Sequence, residues 1–288
     1  MALSVEQFQE IMDDDVFVDK EKLIAGAKYG VPESVRSRVW MYLLNISVSS
    51  HHFEIQQMEE REKYYHSLRP TSFFPIKNSV NTVIHQMQLT ELNISVGVSN
   101  ILCNYFSCDP NISFTPGIVS LTVPLYLAAN RDEVSAFFML SNLLDRISVI
   151  NDSGDYLKQS GKLAKYINIF YPELTNHFSS EALDTSEVFV PWFQYLHSTA
   201  FPIPTLLRLW DAYLSYKVED LMKHMLFVSL AVIDRLSPKI MRMEHLEIKN
   251  FLTHLPPIDV DVLLVQAQTI RHQFQKLFAS KQKASHLE

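Results

Sequence analysis

The stretch that comes closest to a nucleotide-binding motif lies between Gly154 and Gly161 and continues into Lys162 and Leu163. A phosphate-binding P-loop has four residues between its glycines and a Ser or Thr after the lysine, which holds Mg²⁺. Here six residues separate the two glycines, and Leu163 stands where the hydroxyl side chain is required. We interpret the stretch as a solvated loop followed by the start of a helix.

Glycine is scarce throughout the chain, with 6 in 288 residues. Loops that cradle phosphate need glycines because backbone amides must approach the ligand without a side chain in the way. No two of these glycines stand at G-x-G-x-x-G spacing. We therefore expect the chain to bind no nucleotide through such a loop of its own, and to carry no cofactor.

Other reactive residues lack the partners that their chemistry requires. The acidic run at 13–15, with Asp19, invites comparison with the Mg²⁺ motif of all-helical isoprenoid synthases, but no second motif follows. A solvated acidic turn that caps a helix is the better interpretation. His51 and His52 have no Cys or acidic partner at a metal-ligand spacing, so we expect no metal site. A G-x-S-x-G elbow, which a serine hydrolase would need, is absent.

Charge and composition exclude several classes of protein. The net charge is −7 and no dense Lys/Arg cluster occurs, so we expect no nucleic-acid partner. The uncharged stretch 110–130 contains Pro116 and Pro124, which make it a poor membrane span. The first residues lack a basic region followed by an apolar run, so we expect no signal peptide and a cytoplasmic location. Cys103 and Cys108 are then expected to be free thiols.

The spacing of apolar residues predicts helices along nearly the whole chain. Apolar residues recur at i, i+3, i+4 and i+7, and few alternating runs suggest strands. The predicted helices cover residues 54–68, 80–87, 96–106, 118–128, 133–147, 157–170, 189–197, 202–216, 221–236, 246–255 and 260–278. Turn-forming residues predict loops at 69–75, 109–111 and 151–154.

Three stretches in a fixed order carry a family resemblance. Residues 30–40 read GVPESVRSRVW, which is similar to G-[IV]-P-x-x-x-R-x-x-[VI]-W, the opening motif of the TBC domain of Rab GTPase-activating proteins. Residues 172–178, PELTNHF, resemble the family element P-x-L-x-x-H-[LF]. Residues 191–196, PWFQYL, and 207–211, LRLWD, resemble its P-W-F-x-x-L and [LV]-R-[IL]-W-D signatures. The resemblance covers roughly residues 20–280.

The resemblance implies an all-α fold, with a single multi-helix TBC-like domain made of two helical lobes. We assign residues 1–19 to an N-terminal helical leader, 20–280 to the TBC-like domain and 281–288 to a flexible C-terminal tail. We expect the motif residues to build the scaffold, with Arg36 and Asp211 as an interior ion pair and the tryptophans in the core. The structural motif residues are Gly30, Pro32, Arg36, Trp40, Gly117, Trp192, Phe193, Arg208, Trp210 and Asp211.

Activation of a GTPase in this family, as the resemblance implies, uses an arginine from I-x-x-D-x-x-R and a glutamine from Y-x-Q-G-[MI]. The arginine neutralises charge at the transition state, and the glutamine orients the attacking water. Residues 109–118, DPNISFTPGI, resemble the longer pattern N-P-x-[VI]-G-Y-x-Q-G-[MI], with Pro116 in place of the glutamine. Proline has no side-chain amide and cannot hold a water in this way.

An arginine finger is missing upstream of Pro116 in every register. The chain has no arginine between Arg69 and Arg131, and Lys77 is the only lysine in that interval. Lysine lacks the planar fork of arginine.

The favoured register of the arginine motif is residues 76–82, which places Ser79 at the aspartate position and Thr82 at the arginine position. A second register, residues 84–90, places Thr90 at the arginine position but crowds the glutamine motif.

We therefore expect a non-catalytic TBC-like regulator that binds a Rab-type small GTPase or serves as a scaffold or adaptor subunit of a trafficking or signalling complex. The alternative is an active GTPase-activating protein for a Rab-type GTPase that uses unusual groups. The expected site holds no catalytic residue, only the degenerate finger positions Thr82 and Pro116, and the sequence leaves the partner-binding residues open. Peripheral recruitment to endomembranes is compatible with this expectation.

Overall fold

The computed structural model of the protein describes residues 2–14, 17–48, 54–70, 74–89, 91–108, 113–152 and 154–285. Within these ranges the chain forms fifteen α-helices and no strand, so the predicted all-α fold is confirmed. The helices are α1 (Val5–Met12), α2 (Lys20–Ala27), α3 (Glu33–Leu43), α4 (Glu54–Ser67), α5 (Phe74–Gln86), α6 (Leu92–Cys108), α7 (Pro116–Ala128), α8 (Glu133–Asp152), α9 (Asp155–Phe170), α10 (Pro172–Ser180), α11 (Thr185–Gln194), α12 (Ile203–Leu214), α13 (Val218–Ile240), α14 (His245–Thr253) and α15 (Val260–Ser285).

The helix starts follow from local sequence. Ser4 caps α1 through a reciprocal pair with Gln7, in which each side chain accepts a hydrogen bond from the other residue's backbone N–H. Asp19 caps α2 by accepting a hydrogen bond from the backbone N–H of Lys22 at 3.0 Å. Four helices, α5, α7, α10 and α12, have proline in their first turn, where a missing N–H costs nothing.

The first helical lobe consists of α5, α6, α7 and α8, which contact one another. Helix α7 is apolar on all sides because it lies at the centre of this lobe, with ten of its thirteen residues buried. Its burial explains the long uncharged stretch in the sequence. Among the described residues, no helix has both the length and the apolar character needed to cross a membrane.

The second helical lobe consists of α9, α10, α11, α13 and α15, with α14 against α11. The 23-residue α13 is its central helix and contacts both α9 and α15. Trp192 and Phe193 of α11 are buried in this lobe, and the Trp192 indole N–H donates to the carbonyl of Leu252 at 3.2 Å. The Trp192 hydrogen bond therefore links α11 to α14.

A set of hydrogen-bonded residues joins α3 to α12 between the lobes. It consists of Val31, Arg36, Trp40 and Asp211, and we call it the Asp211 cluster. The fully buried Asp211 carboxylate accepts hydrogen bonds from the backbone N–H of Val31 at 3.0 Å, from Arg36 Nε at 3.1 Å and from the Trp40 indole at 2.9 Å. Burial raises the pKa of this carboxyl, and the Arg36 guanidinium and the other donors oppose the rise. The predicted Arg36–Asp211 ion pair is confirmed.

The other motif residues at this junction pack around the cluster. The Trp210 ring lies 6.0 Å from the Trp40 ring, and its indole N–H donates to the Leu196 carbonyl at 2.9 Å. Gly30 adopts φ +108°, and a Cβ on it would come within 2.9 Å of the Arg208 side chain. Both constraints require glycine there. Pro32 directly precedes α3 as its N-cap residue.

Several predicted boundaries are wrong by a few residues, each for a local reason. Helix α5 begins at Phe74, inside the predicted loop 69–75, because Pro75 falls in the first turn where proline is tolerated. Helix α8 runs to Asp152, beyond the start of the predicted loop 151–154. The predicted loop 109–111 and the last three residues of the predicted tail 281–288 lie outside the described residues.

Candidate partner-binding site

Thr82 lies on the exposed face of α5. This helix buries Ile76, Val80 and Ile84, which are spaced four residues apart and form one stripe. Thr82 stands midway between Val80 and Ile84 in the sequence and faces away from that stripe. Its Oγ1 donates to the backbone carbonyl of Asn78, 3.0 Å away and four residues earlier in the helix. The hydroxyl is thus bonded within its own helix, and Thr90, the alternative finger position, lies outside the described residues.

Pro116 occupies the first turn of α7 and is exposed. It is well suited to this position because its fixed φ matches the helix and its missing N–H is not needed. The next residue, Gly117, lies so close to Tyr195 that a Cβ on it would overlap the tyrosine ring. Tyr195 also forms a hydrogen bond of 3.2 Å between its hydroxyl and that of Thr115. Tyr195 thus packs on the start of α7 exactly where the glutamine motif ends.

A cavity of about 400 Å³ lies between the end of α5 and the start of α7, and we call it the finger-site cavity. Apolar side chains form most of its wall, and Gln86, Gln88 and His254 add polar groups. Ser120 and Ser198, also in the wall, are hydrogen-bonded to each other at 2.8 Å. The apolar lining residues include Val83, Met87, Pro116, Phe201, Ile203 and Leu255. The cavity thus contains Pro116 and residues of α5 that follow Thr82.

One wall of the finger-site cavity comes from the segment between α11 and α12. Residues 198–203 of this connection line the cavity. Leu196 and His197, just before them, have φ of +48° and +63° and are almost completely buried. Non-glycine residues in this left-handed region are strained, and the surrounding structure must hold them there. Prediction of a helix up to residue 197 is therefore wrong, since α11 ends at Gln194.

His197 anchors this strained segment to the core. Its Nε2 lies 2.9 Å from Ser229 Oγ and its Nδ1 lies 3.1 Å from the Tyr213 hydroxyl, so both ring nitrogens are partnered. Burial lowers the pKa of His197 to about 3, with a smaller contribution from His224. The imidazole is neutral at physiological pH and has a structural role.

The side chains at the expected finger positions supply neither a cation nor an amide. The two finger positions lie on neighbouring helices, but they carry a hydroxyl bonded within its own helix and a proline ring. Within the described residues, no group of three or more His, Cys, Asp or Glu side chains is placed to hold a metal ion. The sequence did not point to Tyr195 or to the 198–203 wall, because only the tertiary structure brings them to the start of α7.

Comparisons with known proteins all point to one domain family. The family model of the Rab-GTPase-TBC domain matches residues 33–241. The chain is 22% identical to the GTPase-activating protein gyp1 of Schizosaccharomyces pombe, over 91% of this chain and 60% of that protein. It is 23% identical to human TBC1 domain family member 1, over 94% of this chain and 23% of that protein. The chain thus spans less than two thirds of the length of either relative.

The fold also matches a solved structure. The crystal structure of the Ypt/Rab-GAP domain of Gyp1p superposes with a TM-score of 0.77, at 19% identity, covering 94% of this chain and 98% of that domain.

Proposed function

The chain belongs to the Rab-GTPase-TBC domain family, and we propose that it is a member without finger catalysis that binds a Rab-type small GTPase through the finger-site cavity. Such a protein regulates the GTPase or holds it as a scaffold or adaptor subunit of a trafficking or signalling complex. It acts in the cytoplasm, with recruitment to endomembranes through its partners.

The residues at the finger positions carry the non-catalytic part of the proposal. An arginine finger is worth about 10³–10⁵ in the rate of GTP hydrolysis, and a glutamine orients the water. Thr82 and Pro116 supply neither a cation nor an amide, and the interval from Arg69 to Arg131 has no other arginine. The Thr82 hydroxyl also bonds to Asn78.

The shape and lining of the cavity support the binding part. A cavity of about 400 Å³ with walls such as Met87, Phe201 and Leu255 is of the right size for an apolar side chain of a partner. Burying such a side chain is worth about 1.5–3 kcal/mol. The exposed Pro116 and the polar Gln86 and Gln88 provide a mixed rim of the kind found at interfaces.

One observation favours the alternative, an active GTPase-activating protein. Gln86 and Gln88 both line the cavity that contains Pro116. Either amide could orient a water in place of the missing glutamine. An activator would still need a cation from elsewhere, and the relatives that are named GTPase-activating proteins make this alternative worth testing.

Binding to a panel of purified Rab proteins tests the proposal, with each GTPase loaded in turn with GDP, a GTP analogue, and GDP with aluminium fluoride. We expect one or a few Rab proteins to bind without requiring the transition-state mimic. Met87→Asp places a charge in the cavity and should abolish that binding. The matched control Met58→Asp, at an exposed position of α4, should not. Capture only in the aluminium fluoride form would favour the activator, and equal binding by both variants would overturn the assignment of the cavity.

A further inference from the structure

A second cavity, of about 280 Å³, lies between α13 and α15 in the second helical lobe. It shares no lining residue with the finger-site cavity. Its polar wall residues are donors or cations, and none of the described lining side chains is acidic. These polar residues are Tyr216, His224, Gln268, Arg271, His272 and Gln275.

His224 is the central residue of this cavity and is only 6% exposed. Its ring stacks on Tyr216 with centroids 4.3 Å apart, and Lys28 Nζ lies 5.1 Å from the centre of the Tyr216 ring. Its Nε2 is buried and has no hydrogen-bond partner among the described residues. A buried polar atom without a partner costs stability unless a ligand or water supplies one.

The charges that act on the His224 imidazole itself are positive. Burial lowers its pKa to about 4, and the charges of Arg271 and Lys28 contribute to the shift. Two exposed cations thus lie near a buried imidazole whose cavity wall has no carboxylate, and Asp220 acts on Tyr216 from outside that wall. Such an arrangement is stable when an anion is bound, and the anion then raises the pKa of the imidazole.

We propose that this cavity binds a phosphate group, either inorganic phosphate or the phosphomonoester of a lipid headgroup. The tetrahedral dianion offers several acceptor oxygens. The Arg271 guanidinium forms a charge-assisted pair with two of them, and the amides of Gln268 and Gln275 and the N–H of His224 contact the others. The small volume limits the site to one such group. A carboxylate presents only two oxygens and would leave donors unused.

A titration of the full chain with inorganic phosphate, followed by NMR of the histidine imidazoles, tests the proposal. We expect saturable shifts of the His224 and His272 resonances and a rise of at least about one unit in the pKa of His224. Arg271→Gln should weaken binding about tenfold or more, as expected for the loss of a charge-assisted pair. The control Arg235→Gln, which removes the same charge from an exposed position of α13 outside the cavity, should bind as the wild type does.

Two results would overturn the proposal: shifts that do not saturate, or equal weakening by both variants, which would show a general charge effect. The source of the phosphate is distinguished by flotation with vesicles of phosphatidylcholine alone or with added phosphatidylinositol 4-phosphate. Vesicle binding that requires the phosphoinositide and Arg271 assigns the site to a headgroup. Binding of inorganic phosphate without vesicle binding assigns it to a soluble phosphate. Neither result depends on Rab binding, so this proposal can fail independently of the proposed function.

Discussion

The Asp211 cluster and the finger-site cavity both contain residues of the family motifs, but the two regions differ in burial and in hydrogen bonding. In the cluster, the carboxylate, guanidinium and indole match the family pattern, and all are engaged in a buried network. Near the cavity, Thr82 and Pro116, where we propose that the fingers are missing, are both exposed. A buried network cannot lose one member without leaving charges or donors unpaired, whereas an exposed residue can change freely. If the proposed function is correct, the buried network preserves the fold, while the exposed positions are free to lose their catalytic side chains.

Removing the centre of the Asp211 cluster should have the largest effect. Asp211→Ala leaves Arg36 charged in a mostly buried position and leaves the N–H groups of Val31 and Trp40 unpaired. We expect a loss of about 3–5 kcal/mol in the free energy of unfolding, measured with denaturant. Asp261→Ala is the matched control, because Asp261 is 73% exposed in its ion pair with Arg208. It should cost no more than about 1 kcal/mol, and equal losses in both variants would contradict the special status of the cluster.

The next largest effect is a loss of stability at low pH. It comes from buried histidines, one of which, His197, anchors the segment that lines the finger-site cavity. The pKa values of His197 and His224 are lowered to about 3 and about 4 in the folded protein, whereas the unfolded chain titrates near about 6.5. Between these values the unfolded state binds more protons, so stability is fully present above about pH 6.5 and is lost as the pH falls. Each histidine contributes up to about 1.4 kcal/mol per pH unit to the change in the free energy of unfolding.

Unfolding free energies at about pH 6.5 and about pH 5 measure this slope, in a window chosen to lie above the titration of ordinary carboxyl groups. His197→Gln should reduce the slope by the contribution of one proton. An unchanged slope in His197→Gln would mean that His197 is not held neutral by burial.

Gly117 should show a moderate effect, because the start of α7 is packed against Tyr195. Gly117→Ala forces the Tyr195 ring to move and should destabilise the protein by about 1–3 kcal/mol in thermal or denaturant unfolding. Gly161 in α9 has open space around it. Gly161→Ala should therefore stabilise the protein by about 0.5–1 kcal/mol. If both substitutions stabilise the protein, Tyr195 does not pack closely on Gly117.

The smallest effect is expected at Thr82 itself. Thr82→Ala removes an exposed hydroxyl from a helix and improves helix propensity, so stability should rise by less than about 0.7 kcal/mol. The same unfolding measurement serves here. A clear loss of stability would show that Thr82 has a structural role like that of Asp211 and would weaken the comparison between the two regions.

Much of this fold could be predicted from local sequence, because long helices with an apolar stripe carry a strong periodic signal. The stripes of α5 and α13 are of this kind. Boundaries failed where local signals compete, as at Pro75, which is compatible with both a loop and a first turn. The helix predicted up to residue 197 failed because Leu196 and His197 are held at positive φ by tertiary contacts.

The candidate site could be predicted from the sequence only in part. Thr82 and Pro116 follow from motif positions in the sequence. The cavity that Pro116 lines, the contact of Tyr195 with Gly117 and the two cations near His224 depend on side chains that are distant in the chain. No pattern in the sequence brings these residues together, since only the tertiary packing of the helices does so.

Single-turnover GTP hydrolysis, measured on each Rab protein that binds the chain, tests the central claim most directly. We expect the wild-type chain to leave the hydrolysis rate near its intrinsic value, far below the acceleration of about 10³–10⁵ that an arginine finger provides. A strong acceleration that persists in the double variant Thr82→Ala, Pro116→Ala would show that another set of groups catalyses the reaction. That result would contradict the assignment of this chain as a non-catalytic member of its family.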